Sequence, residues 1–539
     1  MPRARNVVLA AAVTMGAMPA LLMPSTVSAA TKPSFTTRLL SGSSGFSEPR
    51  VTVTPDGTRY VDTNAKDGTE VVYASKDGTS WHLVGGTPPG QTNPTTDVDI
   101  VSTRTGRLVA SELDFTGINF ITDYSDDKGA TWTSSTGTTY ADTDRQWLAV
   151  GPDDATTHQP RVYLLFHNLL SGLFTHNMFV MTSTDGGATF GPPVPVALPP
   201  QQDWADLQCA DSGGPSNIFY DKASNRVFVV FGTRSSPAGG CAAQPTEINV
   251  VAANRVWVVS AAADKTATPG AWTPHLAVND TGTGPGGSSR ITGMQLAPGA
   301  SDSAGNIYVA YPESINDYPD YDGAAIKVVH ASKDSLDRWS APSVVAASGG
   351  AGNVLPHVIA GDAGKVDVAY YHGVKNGSKI AWYSYAAQSL DALSASPHWS
   401  NVLLSNVVVE PNQTASQLMG ACMQGQQATL NGFACGRAAD VYGIGLDRCG
   451  GLLLAWPAQA NLRTDGTYAT QQTGGPTLAA CPRTATHSGS GASRSTSHDT
   501  TSSGATGGLA STGLPPALPV GGVAALGAAA VLIRRRRRA

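Results

Sequence analysis

Three arginines, Arg145, Arg290 and Arg437, stand far apart in the chain, and each opens a different copy of a repeating unit. A guanidinium presents a planar fork of donors that grips a carboxylate through two parallel bonds, so three of them brought together would form a carboxylate clamp. Acidic residues occupy comparable positions: Asp97, Asp99, Asp144, Asp211 and Asp440, with His357 beside them. These are candidate proton donors and acceptors. The competing role for the same residues is to pair with one another and neutralise the centre of the fold. Other chemistries leave no trace. The eleven histidines show no HExxH spacing, and neither a Ser-His-Asp signature nor a phosphate-cradling glycine loop occurs in context. Residues 316–322 (Asn-Asp-Tyr-Pro-Asp-Tyr-Asp) offer the oxygen ligands Ca²⁺ prefers, or simply a solvated acidic loop. No other cofactor is expected.

The elements that must position these groups are strands. Residues 34–483 contain no amphipathic helical period; short runs of Val, Tyr, Thr and Ile alternate with Gly, Asp, Asn and Pro. One unit recurs seven times: a short strand, a turn often carrying Asp or Gly, and a usually apolar strand. The second strands begin at Arg59, Leu108, Val162, Val227, Ile307, Val366 and Leu452. Repeats of about fifty residues built from strands point to an all-β, single propeller of four-stranded antiparallel blades. Seven blades are expected, with six as the alternative if one irregular unit is miscounted. Phe35 to Leu40 reads as a strand preceding the first unit and is expected to supply the last strand of the seventh blade, closing the ring. First strands of blades run nearest the axis, so their first residues should line the channel mouth.

A second motif joins third and fourth strands. Ser125-Asp126-Asp127-Lys128-Gly129-Ala130-Thr131-Trp132 and Ser183-Thr184-Asp185-Gly186-Gly187-Ala188-Thr189-Phe190 share the pattern S-x-D-x-G-x-T-[WF]. Ser75 to Trp81, with Asp77, is a shorter copy, and Ser332-Lys333-Asp334 with Trp339 a worn one. In such a turn the Asp carboxylate accepts bonds from nearby amides, Gly takes the positive φ, and the aromatic packs between sheets. These residues resemble the Asp-box, or BNR repeat, of the sialidase superfamily, over roughly residues 40–480. In that family the box lies on the outer rim, so Asp77, Asp127, Asp185 and Asp334 are expected to be structural.

The resemblance implies a glycoside hydrolase site with three arginines on the substrate carboxylate, an Asp acid/base and a Tyr nucleophile paired with Glu. Arg145, Arg290 and Arg437 are the substrate-binding candidates, Asp99 (or Asp97) the acid/base, and Glu313 with Tyr371 the base-and-nucleophile pair. The family's Arg-Ile-Pro tripeptide before the first inner strand reads Ser47-Glu48-Pro49 here, so its arginine is absent; Arg50 substitutes for it only if the loop is rearranged. Arg290-Ile291-Thr292 is the nearest echo. Two functions therefore stand: a sialidase-like hydrolase of acidic sugars, and a non-catalytic propeller binding glycan or protein at the channel mouth.

Both ends of the chain read as addresses. Residues 1–29 have the charged start, Ala-rich apolar run and small residues Val27-Ser28-Ala29 of a secretory signal peptide, so the mature chain is expected to begin at Ala30. Residues 30–483 form the propeller. Residues 484–508 are a Ser/Thr/Gly-rich linker, unable to bury a core. In 509–539, Leu509-Ala510-Ser511-Thr512-Gly513 precedes an apolar span and five arginines. This resembles the LAxTG sorting signal of high-GC Gram-positive bacteria. It implies sortase cleavage between Thr512 and Gly513, joining to the cell-wall peptide, and membrane contact only before processing. A single-pass membrane anchor of the same topology is the alternative.

Six cysteines suit that extracellular setting and lack CxxC spacing. Of the 15 connectivities six cysteines allow, proximity favours Cys209–Cys241, Cys422–Cys435 and Cys449–Cys481. Charged residues make up 14%, well below the roughly 25% of ordinary domains. The totals are 35 Lys+Arg against 40 Asp+Glu; setting aside Arg3, Arg5 and Arg534 to Arg538 leaves 28 against 40, a balance of −12. A nucleic-acid-binding role is excluded on that sign.

Overall fold

The computed structural model describes residues 32–45, 47–89, 94–114, 120–138, 143–168, 178–198, 210–233, 252–280, 291–292, 298–314, 323–412, 414–415, 442–459 and 465–481, with Asp203 and Leu207. The segments expected to be a signal peptide (1–29), linker (484–508) and sorting signal (509–539) lie outside them. Among the described residues no helix is long and apolar enough to cross a membrane.

Each repeating unit folds as one antiparallel sheet, and there are seven. Blade 1 is built from Arg50–Val53, Arg59–Asn64, Glu70–Ser75 and His82–Leu83; blade 2 from Pro94–Ser102, Leu108–Asp114, Phe120–Ser125 and Thr133–Ser134. Blade 3 comprises Thr143–Asp153, Pro160–Asn168, Met178–Ser183 and Val194–Pro195, and blade 4 comprises Ala210–Asp221, Arg226–Thr233, Arg255–Ala262 and Thr273–Asn279. Blade 5 runs Gly299–Ser301, Asn306–Glu313, Ala325–Ser332 and Ser343–Ala346, with two short strands added, Ala252–Ala253 and Ile291–Thr292, which pair with each other. Blade 6 runs Gly352–Ala360, Val366–Asn376, Lys379–Ser389 and Ser400–Leu403, with Glu410–Pro411 added on its third strand. Blade 7 takes Gly443–Leu446, Leu452–Ala458 and Gly466–Gly474, and its outer strand is Ser34–Leu39 from the other end of the chain. The count is seven, not six.

The first strand of every blade touches the first strands of both neighbours, and the seventh touches the first, so these strands form a closed inner ring. Because side chains alternate faces along a strand, each sheet buries one face against each neighbour. The core accordingly falls into seven apolar clusters, one per blade interface.

The turns that resemble Asp-boxes form the hairpins their residues demand. Asp127 accepts from Thr131 N (2.8 Å), Thr131 Oγ1 (2.6 Å) and Ser125 Oγ (2.8 Å), while Gly129 N donates to Ser125 Oγ (2.8 Å). Asp185 repeats this with Thr189 and Ser183, and Asp77 with Thr79, Ser80 and Ser75. The Thr131 and Ser125 bonds hold the Asp127 carboxyl down at about 2. The box aromatics pack backward onto the preceding blade: Trp81 onto blade 7, Trp132 onto blade 1, Phe190 onto blade 2. Trp272, Trp339 and Trp399 do the same for blades 4, 5 and 6. Blade 6 holds a box absent from the sequence reading: Asp391 accepts from Ser389 Oγ (3.0 Å) and His398 N (2.9 Å) ahead of Trp399.

Candidate functional site

The two ends of the ring differ in chemistry. Asp56, in the turn after the first inner strand, accepts from Lys76 (3.0 Å) and Lys128 (2.8 Å), both box residues. The Asp-boxes therefore sit at the turn end, and the inner strands begin at the opposite end. That opposite end carries the charged cluster.

Arg50 is the first residue of blade 1's inner strand, and its guanidinium carbon lies 3.9 Å from the centre of the Trp147 ring of blade 3. Its Nε is 3.8 Å from Asp99 Oδ1 on blade 2, too long for a hydrogen bond, and neither Nε nor Nη2 has a hydrogen-bond partner. Burial pulls the Arg50 pKa down, while Asp99 and Glu48 support its charge. Asp99 is fixed by two amides: Oδ1 accepts from Ile100 N (2.9 Å) and Oδ2 from Leu148 N (2.6 Å). Burial nevertheless holds its carboxyl above the usual range, against the pull of Arg50 and those amides.

Arg145 reaches the same cluster by a backbone irregularity. The pairing of blade 3's inner strand slips between Asp144 and Trp147, and Arg145 there adopts φ +60°. Such a bulge re-aims a side chain, and a left-handed non-glycine residue costs roughly 1–3 kcal/mol that surrounding contacts must offset. Arg145 Nη1 lies 3.6 Å from Glu48 Oε2, with both side chains almost fully buried. Gln146 Nε2 donates to the Asp97 carbonyl (2.7 Å), and Glu48 bridges Asp97 through the backbone, tying blades 1, 2 and 3 together at the mouth. Two guanidiniums from blades 1 and 3 thus stand over a carboxylate-rich floor, close enough for the charge of Arg145 to act on Arg50.

Of the expected site residues, Asp99 and Arg145 meet here. Arg290 and Arg437 lie outside the described residues, as do Asp440, the 316–322 loop and the side chains of Asp144 and Asp211. Glu313 and Tyr371 are not brought together. Glu313 accepts from Lys327 Nζ (2.6 Å) on blade 5, whereas the Tyr371 ring packs 4.4 Å from Tyr442 in the core between blades 6 and 7. The sheet of blade 6 intervenes, because Tyr371 faces away from blade 5. His357 is buried against the same Tyr442, at 6.0 Å. Ser47, at the tripeptide's arginine position, bonds Thr467 Oγ1 (2.9 Å) in the blade 7 seam. Arg50, expected at the site only on rearrangement of its loop, stands there instead as the first residue of an inner strand. Cys449–Cys481 is bridged; the other four cysteines lie outside the described residues. No group of three or more His, Cys, Asp or Glu among the described residues is disposed to hold a metal ion.

Fold and mouth together define a seven-bladed β-propeller with an arginine-bearing channel end. No protein-family model matches the chain, and no curated protein is similar to it. Among solved structures it is similar to a protein of unknown function from Dyadobacter fermentans, at 12% identity over 70% of this chain and 98% of that one, TM-score 0.39. It is also similar to the GH93 α-L-arabinofuranosidase of Fusarium graminearum, solved with arabinobiose, at 12% identity over 71% and 95%, TM-score 0.40. A third is the fucose-specific lectin of Aleuria aurantia, at 9% identity over 70% and 99%, TM-score 0.35. At TM-scores below 0.5 none of these likenesses bears on what this chain does.

Proposed function

We propose that the protein is a glycan-binding propeller that takes a carboxylate-bearing sugar at the mouth formed by blades 1, 2 and 3. The observation that carries this reading is the Arg50 guanidinium, laid on Trp147 with Nε and Nη2 unbonded and Arg145 beside it. Both donors are buried, so a sugar carboxylate would engage them, in the bidentate geometry guanidinium favours, only as the mouth opens, while Trp147 stays in the core behind Arg50. The separation of Glu313 from Tyr371 favours binding over hydrolysis. One feature favours hydrolysis as the second reading: Asp99 keeps its proton above the ordinary range and stands at the same mouth. Residues 1–29 and 509–539 support export and attachment to the cell wall through Thr512, with sortase as the processing partner.

Calorimetric titration with sialic acid and glucuronic acid, beside neutral sugars, tests the binding reading. Binding of an acidic sugar that falls at least tenfold in Arg50→Met is the expected result. Equal affinity for acidic and neutral sugars, or no loss in that variant, would refute it. Turnover of a fluorogenic sialoside, abolished in Asp99→Asn, would favour the second reading.

A further inference from the structure

A second group of charges lies between blades 1 and 2, on the sheet faces behind the mouth. Tyr60, Val72, Leu108 and Ala110 form the apolar part of that interface. Alternation places Asp62 on the face of Tyr60, Glu70 on that of Val72 and Glu112 on that of Ala110, while Asp123 stands directly opposite Ala110. All four are at most 2% exposed. Neither oxygen of Asp62, and neither of Glu70, has a partner in full hydrogen-bond geometry among the described residues, although the Thr63 amide acts weakly to lower the Asp62 carboxyl. The groups facing them are few. Arg50, register partner of Asp62 on the inner strand, is the one cation facing them among the described residues, and it is turned toward Asp99. Blade 2 adds the charges of Glu112 from its second strand, Asp123 from its third and Asp99 from its first. Glu48, Asp97 and Arg145 act in turn on Arg50.

Two adjacent carboxylates in a dry interior, short of well-placed donors, repel each other and remain poorly solvated. A proton removes both problems, since one carboxylic acid then donates to the other carboxylate. We propose that Asp62 and Glu70 share a proton that is a structural part of the blade 1–blade 2 interface, so that the ring loosens there when the proton leaves. Burial raises both carboxyls well above the usual range, and the charge of Glu112 adds to it.

The sign follows from linkage. A folded state that keeps a proton the unfolded chain has released loses stability as pH rises, from the unfolded carboxyl range up to the raised folded value. Each such proton changes the folding equilibrium constant tenfold per pH unit within that window. The test is thermal and urea unfolding of the full chain between pH 5 and 9, with EDTA or with Ca²⁺, alongside Asp62→Asn and Glu70→Gln. Either amide can donate where the proton did. The expected result is a wild-type stability that falls above pH 5, and variants whose fall is shallower by about tenfold per pH unit. A pH-independent wild type, or wild-type slopes in both variants, would overturn the proposal. So would a Ca²⁺-dependent gain at pH 8 that the wild type shows and Asp62→Asn lacks, because the pair would then hold a cation.

Discussion

The Cys449–Cys481 bridge joins the turn after blade 7's inner strand to the segment following its third strand, across 32 residues. Replacing both cysteines by serine frees that loop in the unfolded chain. For a loop of that length the lost chain-entropy restraint amounts to about 3–4 kcal/mol. The substitution itself changes little in the folded state, since Cys449 is half-buried and Cys481 exposed. Two backbone bonds, Leu478 N to the Gly450 carbonyl (2.9 Å) and Asp362 N to the Leu478 carbonyl (2.7 Å), remain to hold the segment in place. The fold should therefore survive, with lower stability. Urea unfolding followed by tryptophan fluorescence reads this directly. A chain of this size unfolds with a slope at or above the roughly 3 kcal/mol/M of the larger small domains, so the midpoint should fall by at most about 1 M. A variant midpoint equal to that of the oxidised wild type would refute the reasoning, showing that strand pairing alone already restrains the loop.

Gly187→Ala should destabilise the protein by about 2–4 kcal/mol, combining the φ of +90° with a Cβ placed 2.8 Å from Val109 Cγ2 of blade 2. Gly106→Ala, with nearly the same φ and nothing within 4 Å, should cost only the backbone part, about 1–2 kcal/mol; equal losses in denaturant midpoints would argue against the interblade contact. Burial pushes the Asp367 carboxyl up to about 8, so the folded state holds that proton while the unfolded chain releases it near pH 4. Asp367→Asn should therefore be close to neutral near pH 4, increasingly stabilising as pH rises from there, and level off above pH 8; unfolding curves at pH 4, 6 and 8 check the sign.

The architecture was legible because every blade repeats the same local conflict and the same solution. An apolar strand follows a tight turn, and the second strands begin within two residues of Arg59, Leu108, Val162, Val227, Ile307, Val366 and Leu452. The box of blade 6 escaped notice because its turn is longer: Asp391 is met by the amide of His398, seven residues on, rather than four as for Asp127 and Thr131. Blade 4 keeps the aromatic, Trp272, and an aspartate, Asp264, two residues past its third strand, but Ala262 stands where the box has Ser and Asp264 pairs with Lys265. The mouth was harder to read, because convergence is a property of the closed ring. Arg50, Asp99 and Trp147 belong to three blades, and no spacing along the chain announces that they meet. The bulge that turns Arg145 inward depends on a single left-handed residue, which its sequence, Asp-Arg-Gln-Trp, does not advertise.

Ser34–Leu39 pairs with Gly466–Gly474, so the earliest strand of the ring meets the latest one, Ser34 opposite Gly474. Holding together ends some 440 residues apart costs about 5 kcal/mol of chain entropy, which no local contact repays until six other blades are in place. The first strand must therefore wait, unpaired, while the rest of the chain emerges and folds. Closure is the last event of assembly, and a chain stopped anywhere before residue 466 ends as an open arc with one unpaired edge, ready to join another such edge.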